Sequence, residues 1–358
     1  MDFGLSEEQR LLEQTLRRFL ATELPIARVR EIMAGEAGHD GKLWRALAEL
    51  GVAGILVPEA QGGGGLGMLD AAVAMQSLAH AAAPAPFLGT SVMAAVAFAS
   101  AGTPAQQREW LPKLAAGSTC FGVAATELVS HREGAGVREQ GGRLAGKALF
   151  AIDAGAADFF VVAVDRDRIA LVPRDAKGLQ ATALSTIDRT RRVAELLFDA
   201  AEPADWMSGP VAAQRMLDAG RVALAADVLG ACERAVGMAV DYAKQRQQFG
   251  RPIGSFQAVK HLCAEMVADL EPARALVWYA AHAFDARPGE ASLMAAHAKA
   301  HLAEIGTRIV RTATEVHGGI GFTDEHDLHL WFKRVGFDRQ LLGGPGALRE
   351  EAAKIQGW

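Results

Sequence analysis

The chain is poor in features that mark several large functional classes. Its 358 residues hold three cysteines, Cys120, Cys232 and Cys263, far apart and in no Cys-x-x-Cys arrangement. That excludes a disulfide framework and points to buried, reduced thiols of a cytosolic protein. There is no block of charge of one sign: the formal net charge of -5 is spread along the chain, so no basic footprint for a nucleic acid is present. Long apolar runs are missing too, each being broken by Gly, Pro or charge well short of a membrane span. The opening residues MDFGLSEEQR are acidic and lead into an amphipathic helix rather than a targeting segment. The expectation is a cytoplasmic globular protein with no membrane span and no nucleic-acid partner. What is abundant is core: half the residues are hydrophobic and 22% are charged, and the length suits two or three packed units.

Helical signals fill the first third. Ser6 followed by Glu7, Glu8 and Gln9 predicts a capped helix start, and Leu12, Leu16, Phe19 and Leu20 form one apolar stripe that ends near Pro25. Further helical patterns cover residues 42–50, 69–82, 91–100 and 104–116, with Gly and Pro between them. From about Ser118 short β-type runs take over, among them 159–164, 169–172 and 195–198, separated by Gly, Asp and Arg-rich turns. After Pro203 long helical patterns return: Leu217, Leu224, Val228, Cys232, Ala235 and Ala239 share one face, and Ala-rich patterns cover 255–286 and 291–316. The order predicts an α+β, mostly α protein: an N-terminal helical domain (1–117), a middle antiparallel β-domain (118–202) and a C-terminal four-helix bundle (203–358). Without alternating βαβ units a Rossmann fold is disfavoured.

Several motifs carry a plain reading beside a functional one. Gly62 to Gly65 and Gly67 lack the Lys-Ser or Lys-Thr and the strand-to-helix context of a phosphate loop, and read as an interhelical turn. His297 and His301 stand i, i+4 with Glu304 beyond, but no Glu of a His-Glu-x-x-His base lies between them, so they read as a polar helix face and no metal site is expected. Asp324 and Glu325 are adjacent and cannot face each other as a catalytic pair; they read as the first turn of a helix capped by Thr323. The glycines of Glu315-Val316-His317-Gly318-Gly319-Ile320-Gly321-Phe322 stop a helix, and also leave backbone amides bare to a ligand. In "YAKQRQQFGRPIGSFQ", residues 242–257, Arg246 at a helix end is an ordinary dipole partner. With Phe249 and Gln257 around a Gly-Pro corner, it also supplies a fork donor, a flat face and an amide that suit a diphosphate and its nucleoside.

Over essentially its whole length, and most specifically in "YAKQRQQFGRPIGSFQ" and "EVHGGIGFTDEHDLHLWFKR", the chain resembles the acyl-CoA dehydrogenase family. The resemblance implies FAD shared at a subunit interface, with Arg246, Phe249, Gln257, Glu315, Gly318 and Gly319 reaching the flavin bound by the neighbour. Many relatives have Gln where this chain has Glu315, which weakens that adenosine contact. Family chemistry removes the α-proton of an acyl-CoA thioester with a Glu, while hydride leaves the β-carbon for the flavin. Both places where the family keeps that base are empty of carboxylate here: Leu342 stands in the turn after the second motif, and Gly220 twenty-six residues before Arg246. The flavin-facing Thr-Glu-Pro-Gly-Ala-Gly-Ser-Asp stretch is represented only by Thr126-Glu127-Leu128-Val129-Ser130, and the Trp-Ile-Thr stretch by Phe150-Ala151-Ile152.

The half of the flavin site given to a neighbour is thus kept and the half used by the chain itself is eroded. The resemblance implies a subunit that completes the FAD site of a catalytic paralogue in an α2β2 assembly, as in family members acting on steroid side chains. It implies a bulky acyl-CoA substrate and an acceptor like an electron-transfer flavoprotein. Two rivals remain open: a self-sufficient homo-oligomer whose base is relocated, for instance to Asp218 or Asp338, and a non-catalytic structural or regulatory protein on the same fold.

Overall fold

The computed structural model describes residues 4–35, 37–125, 128, 129 and 133–358. Helix α1 (Glu7–Glu23) starts as the sequence predicts. Ser6 Oγ accepts from Gln9 N–H and Gln9 Oε1 accepts from Ser6 N–H, so two amides of the open first turn satisfy each other's side chains. Pro25 does not end the helical region. A further helix, α2 (Ile26–Ala34), begins directly after it, since a residue without an N–H loses nothing at a helix start. Then come α3 (Gly41–Glu49), capped by Asp40, α4 (Met68–His80), α5 (Ala95–Ala101) and α6 (Pro104–Ala115). The pattern at 91–100 proves to be two elements, because a fully buried π-helical stretch, Phe87–Ala94, runs into α5.

Eight strands come next: β1 (Phe121–Ala124), β2 (Gly136–Gln140), β3 (Arg143–Ile152), β4 (Phe159–Ala163), β5 (Arg168–Pro173), β6 (Leu179–Ala183), β7 (Val193–Ala201) and β8 (Asp205–Ser208). They form one sheet in the order β6-β7-β3-β1-β4-β5-β8, with β2 paired to β3. The sheet departs from the expected antiparallel pattern at one pair, β1–β4, which is parallel from Phe121↔Phe159 to Ala124↔Val162. A parallel neighbour requires a crossover, and here β2 and β3 supply it. The sheet also runs on past Pro203, because β8 pairs with β5.

The last part holds three long helices, α7 (Ala212–Gln245), α8 (Gln257–Ala286) and α9 (Pro288–His317), with α10 (Leu328–Asp338) against α7 and α9, and α11 (Pro345–Ile355) against α9. Helix α7 is buried continuously from Met216 to Cys232, as expected for a segment with apolar or small residues on every face. Glycines let its neighbours approach: a Cβ at Gly230 would sit 2.1 Å from the Gln76 carbonyl of α4, and one at Gly306 of α9 would sit 2.5 Å from Val228. Thr323 does not cap α10. The helix starts four residues beyond the Asp324 turn, and the Thr323 hydroxyl donates to the Ile320 carbonyl instead. Among the described residues no helix is long and apolar enough to cross a membrane.

Candidate functional site

Between α7 and α8 the chain turns through a miniature hairpin. Strands β9 (Gln247–Gln248) and β10 (Arg251–Pro252) pair across a two-residue loop, Phe249-Gly250, in which both φ angles are positive, 54° and 77°. This is the twist a two-residue hairpin demands, and it is costly for a bulky side chain. Phe249 points outward, 91% exposed. Arg246 ends α7 with its amide on the Tyr242 carbonyl, and its own carbonyl accepts from Ile253 N–H, so the backbone around the guanidinium is fixed at both ends. Gln257 opens α8, and it and Arg246 are exposed. Residues 242–264 carry Lys244, Arg246, Arg251 and Lys260 and no carboxylate. Among the described residues none of these cations is in an ion pair; Arg251 instead covers the Phe256 ring at 4.1 Å.

The structure brings the second motif to this same end. The Tyr242 ring of α7 stacks on His317 of α9, centroids 4.5 Å apart and planes 26° from parallel, and His326 lies 4.5 Å from His317. His317 Nδ1–H donates to the Ala313 carbonyl, and burial lowers its pKa, so the ring is neutral packing material. Gly318 follows with φ 65° and ψ -146°, a conformation open essentially to glycine alone. Added Cβ atoms at Gly318 and Gly319 would meet nothing within 4 Å: the backbone here is bare and faces open space. Glu315 is exposed on the last turn of α9. Two large apolar side chains, Phe249 and the 75% exposed Phe322, project from these motifs without cover.

The two positions of the family base also meet, in a different place. A Cβ at Gly220 would sit 2.6 Å from Leu342 Cδ1 and 2.8 Å from Met93 Sδ, so Leu342, Gly220 and Met93 of the π-helical stretch close on one point. Leu342 and Met93 are fully buried. Leu342 holds a positive φ of 56°, a strained backbone for leucine. The turn is held by buried cations: Arg221 Nε donates to the Leu342 carbonyl at 3.3 Å while its other nitrogens bind Glu351 at 2.9 and 2.7 Å, and Lys299 Nζ donates to the Asp338 carbonyl at 2.7 Å. Burial brings the Lys299 pKa down to about 8. Gly220 and Arg246 are twenty-six residues apart along one helix path, about 39 Å at 1.5 Å per residue. A ligand held at Arg246 therefore does not touch the Gly220 crevice of the same chain.

Both alternative bases are engaged by other buried side chains. Asp218, two residues before Gly220 and so on another face of α7, accepts from Gln214 Nε2 at 2.9 Å and Ser292 Oγ at 2.6 Å. Asp338 is sealed in a charged network with Asp227, Arg191 and Arg334. Arg191 is ion-paired to Asp227 and lies 3.4 Å from Asp338, and Arg334 Nε binds Asp227 at 3.0 Å. Burial and the neighbouring Asp227 raise the Asp338 pKa well above the carboxylate range. His297 and His301 are exposed on α9, and among the described residues no group of three His, Cys, Asp or Glu could hold a metal. The Gly62–Gly67 run packs as a turn, with Gly63 pressed against the Val57 carbonyl.

Residues 6–118 match the model of the acyl-CoA dehydrogenase N-terminal domain and residues 208–354 that of the acyl-CoA dehydrogenase C-terminal domain. The chain is 35% identical over 340 residues to acyl-CoA dehydrogenase IpdE2 of Mycobacterium tuberculosis, covering 95% of this chain and 94% of that one. The chain belongs to the acyl-CoA dehydrogenase family. Among solved structures, this acyl-CoA dehydrogenase superposes with a TM-score of 0.91 on a chain of the ChsE4-ChsE5 complex from Mycobacterium tuberculosis, 30% identical and covering 100% of both. It also superposes with a TM-score of 0.89 on a chain of a Tcur3481-Tcur3483 steroid ACAD variant, 31% identical and covering 98% of both.

Members of the family bind FAD. The bundle end of this acyl-CoA dehydrogenase fits one edge of that cofactor: unpaired cations for a diphosphate, bare backbone at Gly318 and Gly319, and flat exposed faces. The other family surface fits poorly. Thr126, Glu127 and Ser130 lie outside the described residues, and Val129 Cγ1 would be 2.8 Å from a Cβ at Gly343 beside Leu342. Phe150 takes a positive φ of 56°, Ala151 and Ile152 are buried in the sheet, and the adjoining Asp153 carboxylate is spent on the Gly89 amide at 2.7 Å. Sequence reasoning missed Met93, which no motif marks, and the Tyr242–His317 stack, whose signal was the aromatic residue four before Arg246 and the ring just before Gly318.

Proposed function

We propose that this acyl-CoA dehydrogenase works as the supporting subunit of a heteromer, lending Arg246, Phe249, Gln257, Gly318 and Gly319 to FAD bound chiefly by a catalytic paralogue. The observation that carries the reading is the contrast between two places on one chain. The crevice where the family keeps its base is filled by Leu342 and Met93, with no room at Gly220, while the bundle end is open, cationic and free of carboxylates from residue 242 to 264. An α-proton cannot be taken by a leucine, so the base and the thioester site come from the paralogue. The flavin, when bound, accepts the hydride; the part of this chain is to bind and orient its diphosphate, with Glu315 the least favourable of the contacts because it brings a negative charge. An α2β2 assembly follows, with one flavin for each unlike pair, and a cytoplasmic site of action. A bulky, steroid-derived acyl-CoA is the substrate class the related steroid ACAD supports, with an electron-transfer flavoprotein type of acceptor.

The test is the visible spectrum of the protein purified alone and with its co-expressed paralogue. Alone it is expected to hold flavin well below one per chain; together they hold it at one per pair. Arg246→Ala removes a charge-assisted contact worth about 1.5–3 kcal/mol, on the order of ten- to a hundredfold in flavin affinity of the pair. A stoichiometrically yellow isolated chain that is bleached by acyl-CoA would overturn the reading in favour of a homo-oligomer.

A further inference from the structure

The segment after the second motif's glycines, Thr323 to His329, comes back to the same bundle end, and most of its polar side chains are engaged. The Thr323 hydroxyl donates to Ile320, Asp324 accepts from Lys333 at 3.2 Å, Asp327 accepts from Arg30 at 2.7 Å, and His329 Nε2 lies 3.4 Å from Asp324. His326 differs. Leu328 N–H donates to its Nδ1 at 3.3 Å, which leaves the ring proton on Nε2. That N–H has no acceptor among the described residues, although the ring is only half-buried. Its position is fixed from two sides: the ring lies 4.5 Å from His317 and 6.2 Å, edge-on, from Tyr242. His326 thus bridges the residue before Gly318 and the helix end that carries Arg246.

We infer that His326 is a further cofactor-positioning residue, whose Nε2–H donates to an acceptor atom on the adenylate half of the dinucleotide held at Arg246 and Gly318. The inference rests on the proposed shared flavin site. The chemistry is specific. Arg246 and its neighbouring cations answer the diphosphate, the bare glycine backbone admits close approach, and an N–H whose ring is oriented by a backbone hydrogen bond is a directional donor.

The experiment compares three variants of the co-expressed complex, reading bound flavin from the visible spectrum and its dissociation constant from flavin release on dilution. His326→Phe keeps a ring against His317 and Tyr242 but has no donor, and is expected to weaken flavin binding about three- to tenfold, the range of one hydrogen bond. His326→Gln restores an N–H and is expected to recover most of that loss. Arg246→Ala serves as the control for the shared site itself. Flavin lost in Arg246→Ala but held at the unaltered level in His326→Phe would overturn the assignment and leave the shared site standing. Equal losses in His326→Phe and His326→Gln would overturn it too, showing that shape and not the donor matters. Flavin unaffected in all three would overturn the shared-site reading together with this one. Should His326→Phe fail to assemble, the His326→Gln and His326→Ala pair decides by the same comparison.

Discussion

Asp227 and Asp338 are neighbours in one buried network, yet replacing each by asparagine is expected to have opposite results. Asp227 is fully buried between the guanidinium groups of Arg191 and Arg334, which hold its pKa below the usual carboxylate range despite burial. It is the charge that makes those two arginines tolerable. Asp227→Asn strips both of it, and breaking such a pair costs about 3–5 kcal/mol, a fall of several degrees in melting midpoint for a chain of this size. Asp338 is also fully buried, but neither carboxylate oxygen has a well-formed hydrogen bond, and burial together with Asp227 drives its pKa well up. Folding therefore favours the protonated form of this carboxyl more than the unfolded chain does. A raised carboxyl pKa subtracts stability as pH climbs from the ordinary aspartate value, about 3.9, toward the folded value, at about 1.4 kcal/mol for each unit crossed. Asp338→Asn supplies a neutral group of the same shape, so it is expected to gain on the parent in stability as pH rises from 5 to 8. For Asp227 the sign is reversed: its contribution is complete above the ordinary carboxylate range and fades as pH falls through its lowered pKa. Thermal melting of both variants and the parent at pH 5 and pH 8 checks this. A loss in Asp338→Asn at pH 8 as large as that in Asp227→Asn would show that both carboxyls are ionised and refute the argument.

Leu342→Ala and Leu342→Gly should each cost about 2–5 kcal/mol for the cavity, but glycine, ordinarily the worse by up to about 1 kcal/mol, is expected to equal or surpass alanine because φ is 56° there; denaturant midpoints showing the usual penalty for glycine would contradict the strain. Arg221→Lys keeps the charge but cannot hold Leu342 and both Glu351 oxygens at once; hydrogen exchange in residues 339–344 should speed up, and unchanged protection would mean the turn is held otherwise. The co-expressed pair should elute with the mass of two unlike dimers, and a mass of one chain by light scattering would remove the shared site.

Much of this architecture is legible in the sequence because local signals and global fold agree: the Ser6–Gln9 capping box, the all-round apolar pattern of α7 and the β-type runs each find their element. The misses have physical causes. Pro25 is a stop signal only for the helix before it, so nothing in the local pattern separates α2 from a loop. A π-helical stretch has no periodicity that distinguishes it from an α-helix over eight residues, so Phe87–Ala94 and α5 blend into a single helical pattern. Thr323 and its acids look like a cap, but Arg30 and Lys333 claim Asp327 and Asp324 from outside the segment, contacts that no local pattern contains. For the candidate site, the sequence offers the residue types at Arg246, Gly318, Leu342 and Gly220. That Leu342, Gly220 and Met93 touch, and that Tyr242 joins the two motifs, are facts of tertiary packing alone.

The separation of about 39 Å along α7 between Gly220 and the Arg246 corner also bears on how such a chain changes over generations. A substitution in the crevice and one at the hairpin are too far apart to couple through shared contacts, so their effects should add. While a single gene builds both halves of a symmetric dimer, every copy must keep both regions intact. After duplication each gene is answerable for only one of them, and the neglected region is free to drift toward whatever packs best. On the proposed shared flavin site, the crevice closed by Leu342 and Met93 and the hairpin carrying the uncovered Phe249 fall under separate constraints, so changes in one should leave the other's function unaltered.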